Sequence, residues 1–323
     1  MSDRYSRQVV LPEVGAGGQA RLAAASVAVV GAGGLGCAVL GYLTAAGVGR
    51  LTIVDHDTVE ESNLHRQPLY RMSDLGSLKV EAARAALGAL NPGVRVDALA
   101  GRLTPANAPA LAAAADLVVD AADSFAVTYV LSDACQRAGK PLVSASVLGL
   151  SGYVGAFCGG APSYRAVFPE LPRQAGSCAE SGVLGTAVGV LGTLQAHLAL
   201  ALLLGLEPTV LGRLISVDLR TLHLGGFSFA AAREPAEALA FIAPEDVVPS
   251  DLVIDLRSRT EAPLSPFATA WRVDVEALEQ GGQALPPAPR IVLCCRTGVR
   301  AWRAARALAA RGHRNLALLA FGG

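Results

Sequence analysis

Ser26-Val-Ala-Val-Val30 is followed at once by Gly31-Ala-Gly33-Gly34-Leu-Gly36, and this stretch decides the fold class. A short apolar run that stops at glycines is typical of a buried parallel strand. The glycines allow a tight turn and a close approach of phosphates, and the N-terminus of a following helix favours their negative charge. We therefore predict a nucleotide-binding strand-turn-helix unit rather than a glycine turn without a ligand. The predicted nucleotide contacts are Gly31, Gly33, Gly34 and Gly36.

Strands and helices alternate on the C-terminal side of this unit. A helix is predicted up to about Ala46, a second strand at 51–55, a helix at 79–90, and further strands at 116–120 and 141–146. Such alternation predicts an α/β fold with a Rossmann-like, doubly wound and mostly parallel sheet. Asp55 ends the second strand at the offset where an acid binds a ribose hydroxyl.

A second α/β pattern begins near residue 252, with strands at 252–256 and 290–294 and a helix from about 301 to 311. The stretch 229–249 between the two patterns is rich in Ala, Glu and Pro, which predicts a linker with a connecting helix. We therefore predict a first domain at residues 1–230, a linker at 231–249 and a smaller C-terminal α/β domain at 250–323.

The composition limits the class of partner. Of 323 residues, 52% are hydrophobic and 17% are charged, which excludes a disordered chain. Lys+Arg and Asp+Glu balance at 27 each, so no overall field attracts a polyanion and no nucleic-acid partner is expected. The polar N-terminus predicts no signal peptide and a cytoplasmic location, where the six cysteines would be free or catalytic thiols.

One apolar stretch, 183–206, is long enough to span a bilayer. However, Gln195 and His197 interrupt it, and no Lys/Arg cluster marks an inside end. We therefore predict a buried or dimer-interface helix and no membrane association.

Charged residues after the glycine turn favour a triphosphate over a dinucleotide. Asp55-His-Asp57 leads into Ser62-Asn63-Leu-His-Arg66-Gln67 and then to Lys79. A dehydrogenase binds a diphosphate and needs few cations, whereas Arg66, Lys79 and a helix terminus suit a triphosphate. Asp123 lies just past a predicted strand, where a carboxylate is well placed to hold Mg²⁺.

Together these pieces resemble the ThiF/MoeB/HesA family, bacterial relatives of ubiquitin-activating enzymes, over residues 4 to about 226. The resemblance implies ATP-dependent adenylation of the C-terminal glycine of a ubiquitin-like sulfur-carrier protein that ends in Gly-Gly. The matching segments are Arg4-Tyr5-Ser6-Arg7-Gln8, Gly18-Gln19, the glycine turn, Ala46-Gly47-Val48-Gly49, Asp55-His-Asp57, Ser62-Asn63-Leu-His-Arg66-Gln67, Gly76-Ser-Leu-Lys79, Asn91-Pro92 and Asp120-Ala-Ala-Asp123-Ser124.

The resemblance also implies roles for individual residues. Asp55 would bind the ribose within a nucleotide site that includes Asp57, and Asp123 would coordinate Mg²⁺. Arg7 would reach the ATP of the partner subunit in a homodimer. Ser124 replaces the asparagine that usually follows the Mg²⁺-binding aspartate in the family. The implied phosphate ligands are Asn63, Arg66 and Lys79.

The family commonly holds a structural zinc ion with two Cys-x-x-Cys pairs. The first pair should fall at Ser163-Tyr-Arg-Ala166, and no cysteine lies between Gly225 and Cys294 for the second. A tetrahedral thiolate site therefore cannot form, and we predict no zinc.

Two cysteines are candidate catalytic thiols. Cys178 precedes the long apolar helix, whose N-terminus could lower its pKa, and it matches a family cysteine that can receive the activated carrier. Cys295-Arg296-Thr-Gly298-Val-Arg300 follows a strand and precedes a helix, and it resembles the active-site loop of rhodaneses. Backbone N–H groups and the charges of Arg296 and Arg300 would stabilise a persulfide on Cys295.

We therefore predict a sulfur-carrier adenylyltransferase with a shortened C-terminal sulfurtransferase domain, supplied by a donor such as a cysteine desulfurase. Thiamine, molybdopterin or another sulfur-containing metabolite would be the destination. The alternatives are a family enzyme without active sulfurtransferase, an NAD-dependent oxidoreductase, a non-catalytic carrier-binding scaffold, and adenylation of a tRNA base.

Overall fold

The computed structural model describes residues 3–171, 182–282 and 284–322. Its larger sheet has eight strands in the order β3-β2-β1-β4-β5-β6-β7-β8. The first five strands in this order run parallel to one another. Strands β6, β7 and β8 continue the sheet in antiparallel pairing. The strands are β1 Ser26–Val30, β2 Arg50–Asp55, β3 Arg95–Ala100, β4 Leu117–Asp120, β5 Pro141–Leu148, β6 Ser151–Cys158, β7 Arg213–Asp218 and β8 His223–Ser228.

Helices cover both faces of the parallel half, as the alternating pattern predicts. Helices α3, α4 and α8 pack with one apolar cluster, whereas α5 and α6 pack with a second cluster on the other face. The helices are α1 Ser6–Val9, α2 Gly15–Ala24, α3 Gly34–Ala46, α4 Lys79–Leu90, α5 Ala108–Ala113, α6 Phe125–Ala138, α7 Tyr164–Val167, α8 Gly185–Leu204, α9 Val275–Glu279 and α10 Val299–Ala310. Short 3₁₀ turns lie at Asp3–Tyr5, Glu61–Asn63, Met72–Asp74 and Pro244–Asp246.

Helix α8 is long and apolar enough to cross a membrane. However, 56% of its most apolar 18-residue stretch is buried within the fold. Gly192 allows a close approach to α3, since an added Cβ there would meet the Ala38 Cβ at 2.8 Å. The fully buried Gln195 amide donates to the carbonyls of Asp120 and Val143 at the centre of the sheet. The helix is therefore a core element on one face, as predicted.

The C-terminal part forms a second, wholly parallel sheet in the order β11-β10-β12-β13-β9. Its strands are β9 Ala240–Phe241, β10 Leu252–Asp255, β11 Trp271–Arg272, β12 Ile291–Cys295 and β13 Leu316–Ala320. The α/β pattern is thus confirmed, although a rhodanese relationship stays a prediction. The segment expected to be linker with a connecting helix instead supplies strand β9 and the turn at Pro244–Asp246, because it is anchored by pairing with β13.

The two parts share one apolar core rather than touching at a thin surface. The rings of Tyr129 of α6 and Trp302 of α10 lie in contact, tilted by 46° with their centroids 5.5 Å apart, and both residues belong to a single buried cluster. The guanidinium of Arg165 donates to the carbonyl of Leu239, just before β9. We call residues 239–322 the C-terminal module; it is fixed to the α5/α6 face of the larger sheet.

A buried carboxyl at the end of β4 should make stability depend on pH. Asp120 has no exposed surface and accepts hydrogen bonds from the hydroxyls of Thr128 and Ser144, each at 2.7 Å. Burial raises the pKa of Asp120 to about 6, although these hydrogen bonds act in the opposite sense. The folded state therefore holds this proton more tightly than the unfolded state, and stability falls as pH rises through about 6.

We expect the free energy of unfolding of the wild type, relative to Asp120→Asn, to fall by roughly 2 kcal/mol between about pH 4 and about pH 7.5. Asparagine keeps an acceptor for the hydroxyls but does not titrate, so the difference isolates this carboxyl. Urea unfolding of both proteins across that range measures it. Parallel pH curves would contradict the assignment.

Candidate active site

A cavity of about 900 Å³ lies over the carboxyl ends of the parallel strands. This is the place where doubly wound sheets bind ligands. Residues from the glycine turn, from the ends of β2 and β4 and from the start of α4 line it together. The predicted site residues on its wall are Gly31, Gly33, Gly34, Asp55, Asp57, Asn63, Arg66, Lys79 and Asp123.

The glycine turn has the backbone geometry that phosphate binding needs. Gly31 has φ of 97°, and an added Cβ would lie 2.5 Å from the carbonyl oxygen of Ala121. Gly36 differs from its prediction, because it is buried in the first turn of α3 against the carbonyl of Gly31 and is not on the cavity wall. Gly36 therefore permits close packing between helix and turn rather than contact with a ligand.

Asp55 is oriented by the backbone on both sides. Its Oδ2 accepts a hydrogen bond from the N–H of Ala32 at 2.7 Å, and its Oδ1 accepts one from the N–H of Asp57 at 2.8 Å. Each oxygen keeps a second lone pair, and the residue lines the cavity. The carboxylate is thus fixed and able to accept ribose hydroxyls.

Lys79 is the first residue of α4 and is nearly buried. Its Nζ donates to Oδ2 of Asp57 at 2.9 Å, and its backbone N–H donates to the carbonyl of Asp57. Burial alone would raise the pKa of Asp57, but the hydrogen bond and charge of Lys79 outweigh it and hold that pKa below its ordinary value. Asp57 is therefore ionised at neutral pH, and it positions the side chain of Lys79 at the cavity wall.

A second cation, Arg66, lies just after the 3₁₀ turn at Glu61–Asn63. The Nη1 of Arg66 donates to the carbonyl of Ser62 at 3.0 Å and lies 2.8 Å from Nε2 of His65. Asn63 is buried, and its amide donates to the Ser62 hydroxyl. Arg66 and Lys79 thus approach one cavity from different elements, which suits the spread negative charge of a triphosphate.

Asp123 is an exposed carboxylate on the cavity wall. It lies between the end of β4 and the start of α6, and its oxygens make no hydrogen bond or ion pair with any residue in the described ranges. A free carboxylate beside phosphate-binding cations is a suitable ligand for Mg²⁺. Asp55, His56 and Asp57 also cluster, but the ammonium of Lys79 on Asp57 makes that cluster a poor cation site.

Not every predicted residue reaches this cavity. Arg7 lies exposed on α1 and does not line it, and no residue in the described part of the chain pairs with its guanidinium. Cys178 falls outside the described residues. Gln67, by contrast, lines the cavity, although the sequence analysis assigns it no contact with the nucleotide. Its Oε1 is buried and has no hydrogen-bond partner in the described ranges. A buried amide oxygen of this kind is available to a ligand donor.

Cys295 occupies the position that its loop motif predicts. It ends β12, and its Sγ accepts hydrogen bonds from the N–H groups of Gly298 at 3.1 Å and Ala301 at 3.4 Å. Gly298 has φ of 88° and begins α10, so the backbone curls around the sulfur. The thiol is fully buried, and an added Cβ at Gly298 would meet the ring of Phe241 and the Cβ of Ala126.

The two arginines of the loop are not equivalent. Arg300 donates to the carbonyl of Leu256 and pairs with Glu261 at 2.5 Å, while its charge still interacts with Cys295. The side chain of Arg296 is exposed, and its carbonyl accepts a hydrogen bond from Gly322. Cys294 points to the opposite face of β12, where burial raises the pKa of its thiol.

The side chains at the expected zinc position do not fit a zinc ion. The backbone N–H and hydroxyl of Ser163 both donate to Glu234, at 2.7 and 2.6 Å. Arg165 makes a bidentate pair with Asp133 and donates to Leu239. A guanidinium and a saturated carboxylate offer none of the thiolates that a structural zinc site of this family requires. These hydrogen bonds instead tie the chain before β9 to the turn at residue 163.

Known proteins resemble this chain chiefly in its first two thirds. A sequence profile described as the ThiF family matches residues 5–238. Adenylyltransferase and sulfurtransferase MOCS3 of Bos taurus is 52% identical over 67% of this chain, which spans 48% of that protein. The sulfur carrier protein adenylyltransferase of Thermus thermophilus is 48% identical over 67% of this chain and 83% of its own length.

Solved structures agree on the fold. The crystal structure of E. coli MccB with MccA-N7isoASN superposes with a TM-score of 0.63 at 24% identity, covering 73% of this chain and 74% of the other. That level of identity supports the fold alone. The chain spans about half the length of the mammalian relatives it matches. The profile match and the Thermus relative together settle the family: the chain belongs to the ThiF family.

Proposed function

We propose that this protein adenylates the C-terminal glycine of a ubiquitin-like sulfur carrier with ATP and Mg²⁺. One observation carries the proposal: a single cavity collects the glycine turn, Asp55, two phosphate-binding cations and the unpaired carboxylate of Asp123. The relative from Thermus thermophilus, which is named a sulfur carrier protein adenylyltransferase, supports the choice of substrate. An NAD-dependent oxidoreductase would need neither the two cations, Lys79 and Arg66, nor a Mg²⁺ ligand such as Asp123.

The side chains suit nucleotidyl transfer. The carrier carboxylate is ionised near neutral pH and attacks the α-phosphorus directly, so no general base is needed. The bond from that phosphorus to the bridging oxygen breaks, and pyrophosphate departs with the added negative charge. Lys79 and Arg66 are placed to stabilise that charge. Mg²⁺, held by Asp123, would neutralise phosphate oxygens when bound.

We propose sulfur transfer from Cys295 as the second step. The outer sulfur of a Cys295 persulfide attacks the acyl carbon, and AMP leaves, which joins carrier and Cys295 through an acyl disulfide. A second thiol then attacks the Cys295 sulfur, releasing the carrier thiocarboxylate and leaving a protein disulfide. Cys178 is the candidate for that thiol. An external dithiol would reduce this disulfide and become a disulfide itself. A donor such as a cysteine desulfurase would then transfer the outer sulfur of its own persulfide to the free Cys295 thiol.

The proposal includes a cytoplasmic homodimer in which Arg7 acts on the partner subunit's ATP. Its exposure on α1, away from the cavity of its own chain, supports such a role. The Arg7 guanidinium makes no hydrogen bond or ion pair within the described ranges that dimer formation would have to break.

Exchange of labelled pyrophosphate into ATP tests the first step. We expect exchange only when a carrier ending in Gly-Gly is present, because the acyl-adenylate must form before it can reverse. The same carrier lacking its last glycine serves as the control. Exchange without a carrier, or no exchange with any Gly-Gly carrier encoded by the same genome, would contradict the proposal.

Lys79→Met should lower kcat/KM for ATP by about a hundredfold, since the ammonium is lost from the phosphate side of the cavity. Methionine keeps the length and apolar stem of the buried side chain. Lys140→Met is the matched control, because Lys140 is the only other lysine in the chain and does not line the cavity. Equal pyrophosphate-exchange kinetics in the two variants would contradict the role of Lys79.

A further inference from the structure

One end of the nucleotide cavity is lined by residues outside the range that the family profile matches. The glycine turn follows β1 and Asp55 ends β2, so phosphates and ribose would lie over these two strands. Strand β3 lies beyond β2 in the sheet. The base therefore extends toward the loop after β3, residues 101–105, which lines the cavity.

The C-terminal module closes this end. Phe241, Ile242, Pro244 and residues 320–322 line the same cavity as the glycine turn and Asp55. They come from adjacent strands, because β9 pairs with β13 and Phe241 lies opposite Leu318. The Cβ position of Gly322 lies against the guanidinium of Arg102, which belongs to the loop after β3. Both parts of the fold therefore meet where the base would lie.

The position of this wall is fixed by contacts on both sides. Gly298 packs within 2.7 Å of the Phe241 ring and 3.4 Å of Ala126, measured from its ideal Cβ position. Ala320 lies opposite Cys295 in parallel register; it is partly buried against the core shared with the larger sheet and also lines the cavity. The module contributes apolar side chains to the cavity lining, among them Ile242, Pro244 and Ala320, and the loop after β3 contributes Leu103 and Pro105. Apolar walls suit a planar aromatic base.

We infer that the C-terminal module forms one wall of the base pocket, so that the nucleotide site is built from both parts of the chain. All of the wall residues lie beyond residue 238, where the family profile ends. The inference rests on the proposed function only in taking ATP as the bound nucleotide. It gives the module a binding role that does not depend on sulfur transfer.

The test compares two probes, ATP with Mg²⁺ and inorganic tripolyphosphate, by isothermal titration calorimetry on the full chain. Ala320→Phe fills the base end, and we expect its dissociation constant for ATP to rise about tenfold or more. Tripolyphosphate lacks base and ribose, so its affinity should not change. Ile242→Ala, which thins the wall instead of filling the pocket, should weaken ATP binding about threefold and leave tripolyphosphate unaffected.

Ala310→Phe is the matched control, because Ala310 is an exposed residue of the same module on α10 and does not line the cavity. Unchanged ATP affinity in both wall variants, with normal binding by the wild type, would overturn the inference while leaving the proposed function standing. Equal weakening of ATP and tripolyphosphate would also overturn it. Failure of the wild type to bind ATP would overturn both.

Discussion

Replacing Asp123 with alanine should lower the rate of carrier-dependent adenylation by about a thousandfold. The side chain is the unpaired carboxylate just past the carboxyl end of β4, and its loss removes the ligand expected to hold Mg²⁺ against the phosphates. Its oxygens make no contact with other residues in the described ranges, so the fold should be unaffected. Pyrophosphate exchange measures the rate, and thermal unfolding checks the fold.

Glu237→Ala provides the control for Asp123→Ala. Glu237 is a surface carboxylate whose contact with Arg314 is loose, at 3.6 Å, and it lies away from the cavity. It should retain the wild-type rate. An Asp123→Ala protein within about threefold of wild type would show that the carboxylate does not act in the transition state.

Cys295→Ser should abolish sulfur transfer to the carrier and leave adenylation intact. Serine keeps an acceptor for the N–H groups of Gly298 and Ala301, but it cannot carry a persulfide. We expect pyrophosphate exchange at the wild-type rate and loss of thiocarboxylate formation by at least about a thousandfold, measured by intact mass of the carrier.

Cys294→Ala is the matched control for Cys295→Ser. Cys294 is the neighbouring thiol on the same strand, but it faces the opposite side of the module and touches the Ile254 carbonyl. Sulfur transfer should survive its replacement. Transfer that survives in Cys295→Ser would show that the module supplies no sulfur, and the family enzyme without sulfurtransferase activity would then be the better description.

Most of the parallel half of the fold could be predicted because its signals are local. The strand at 26–30, the glycine turn and helix α4 at Lys79–Leu90 agree with the structure within two residues. The sequence pattern does not predict β3 in this half, nor the antiparallel strands β6, β7 and β8. Glycines weaken the strand pattern of β6 and β8, and the pairing of these strands comes from distant residues.

The residues of the site also divide into those that the sequence predicts and those that it does not. Asp55, Arg66, Lys79 and Asp123 belong to motifs whose spacing carries chemical meaning, and the cavity brings them together. The wall formed by Ile242 and Ala320 has no motif, because an apolar side chain acquires a role in ligand binding only through tertiary packing. For the same reason the burial of Cys295 against the larger sheet could not be read from its loop.

The most direct measurement is the intact mass of a Gly-Gly carrier after incubation with the protein, ATP and Mg²⁺, with pyrophosphatase present and no sulfur donor. We predict that the carrier gains one AMP group with the wild type and with Cys295→Ser, and gains none with Asp123→Ala. A carrier shortened by one glycine should remain unmodified. A carrier that stays unmodified with the wild type, or one that is adenylated equally by Asp123→Ala, would contradict adenylation at this site.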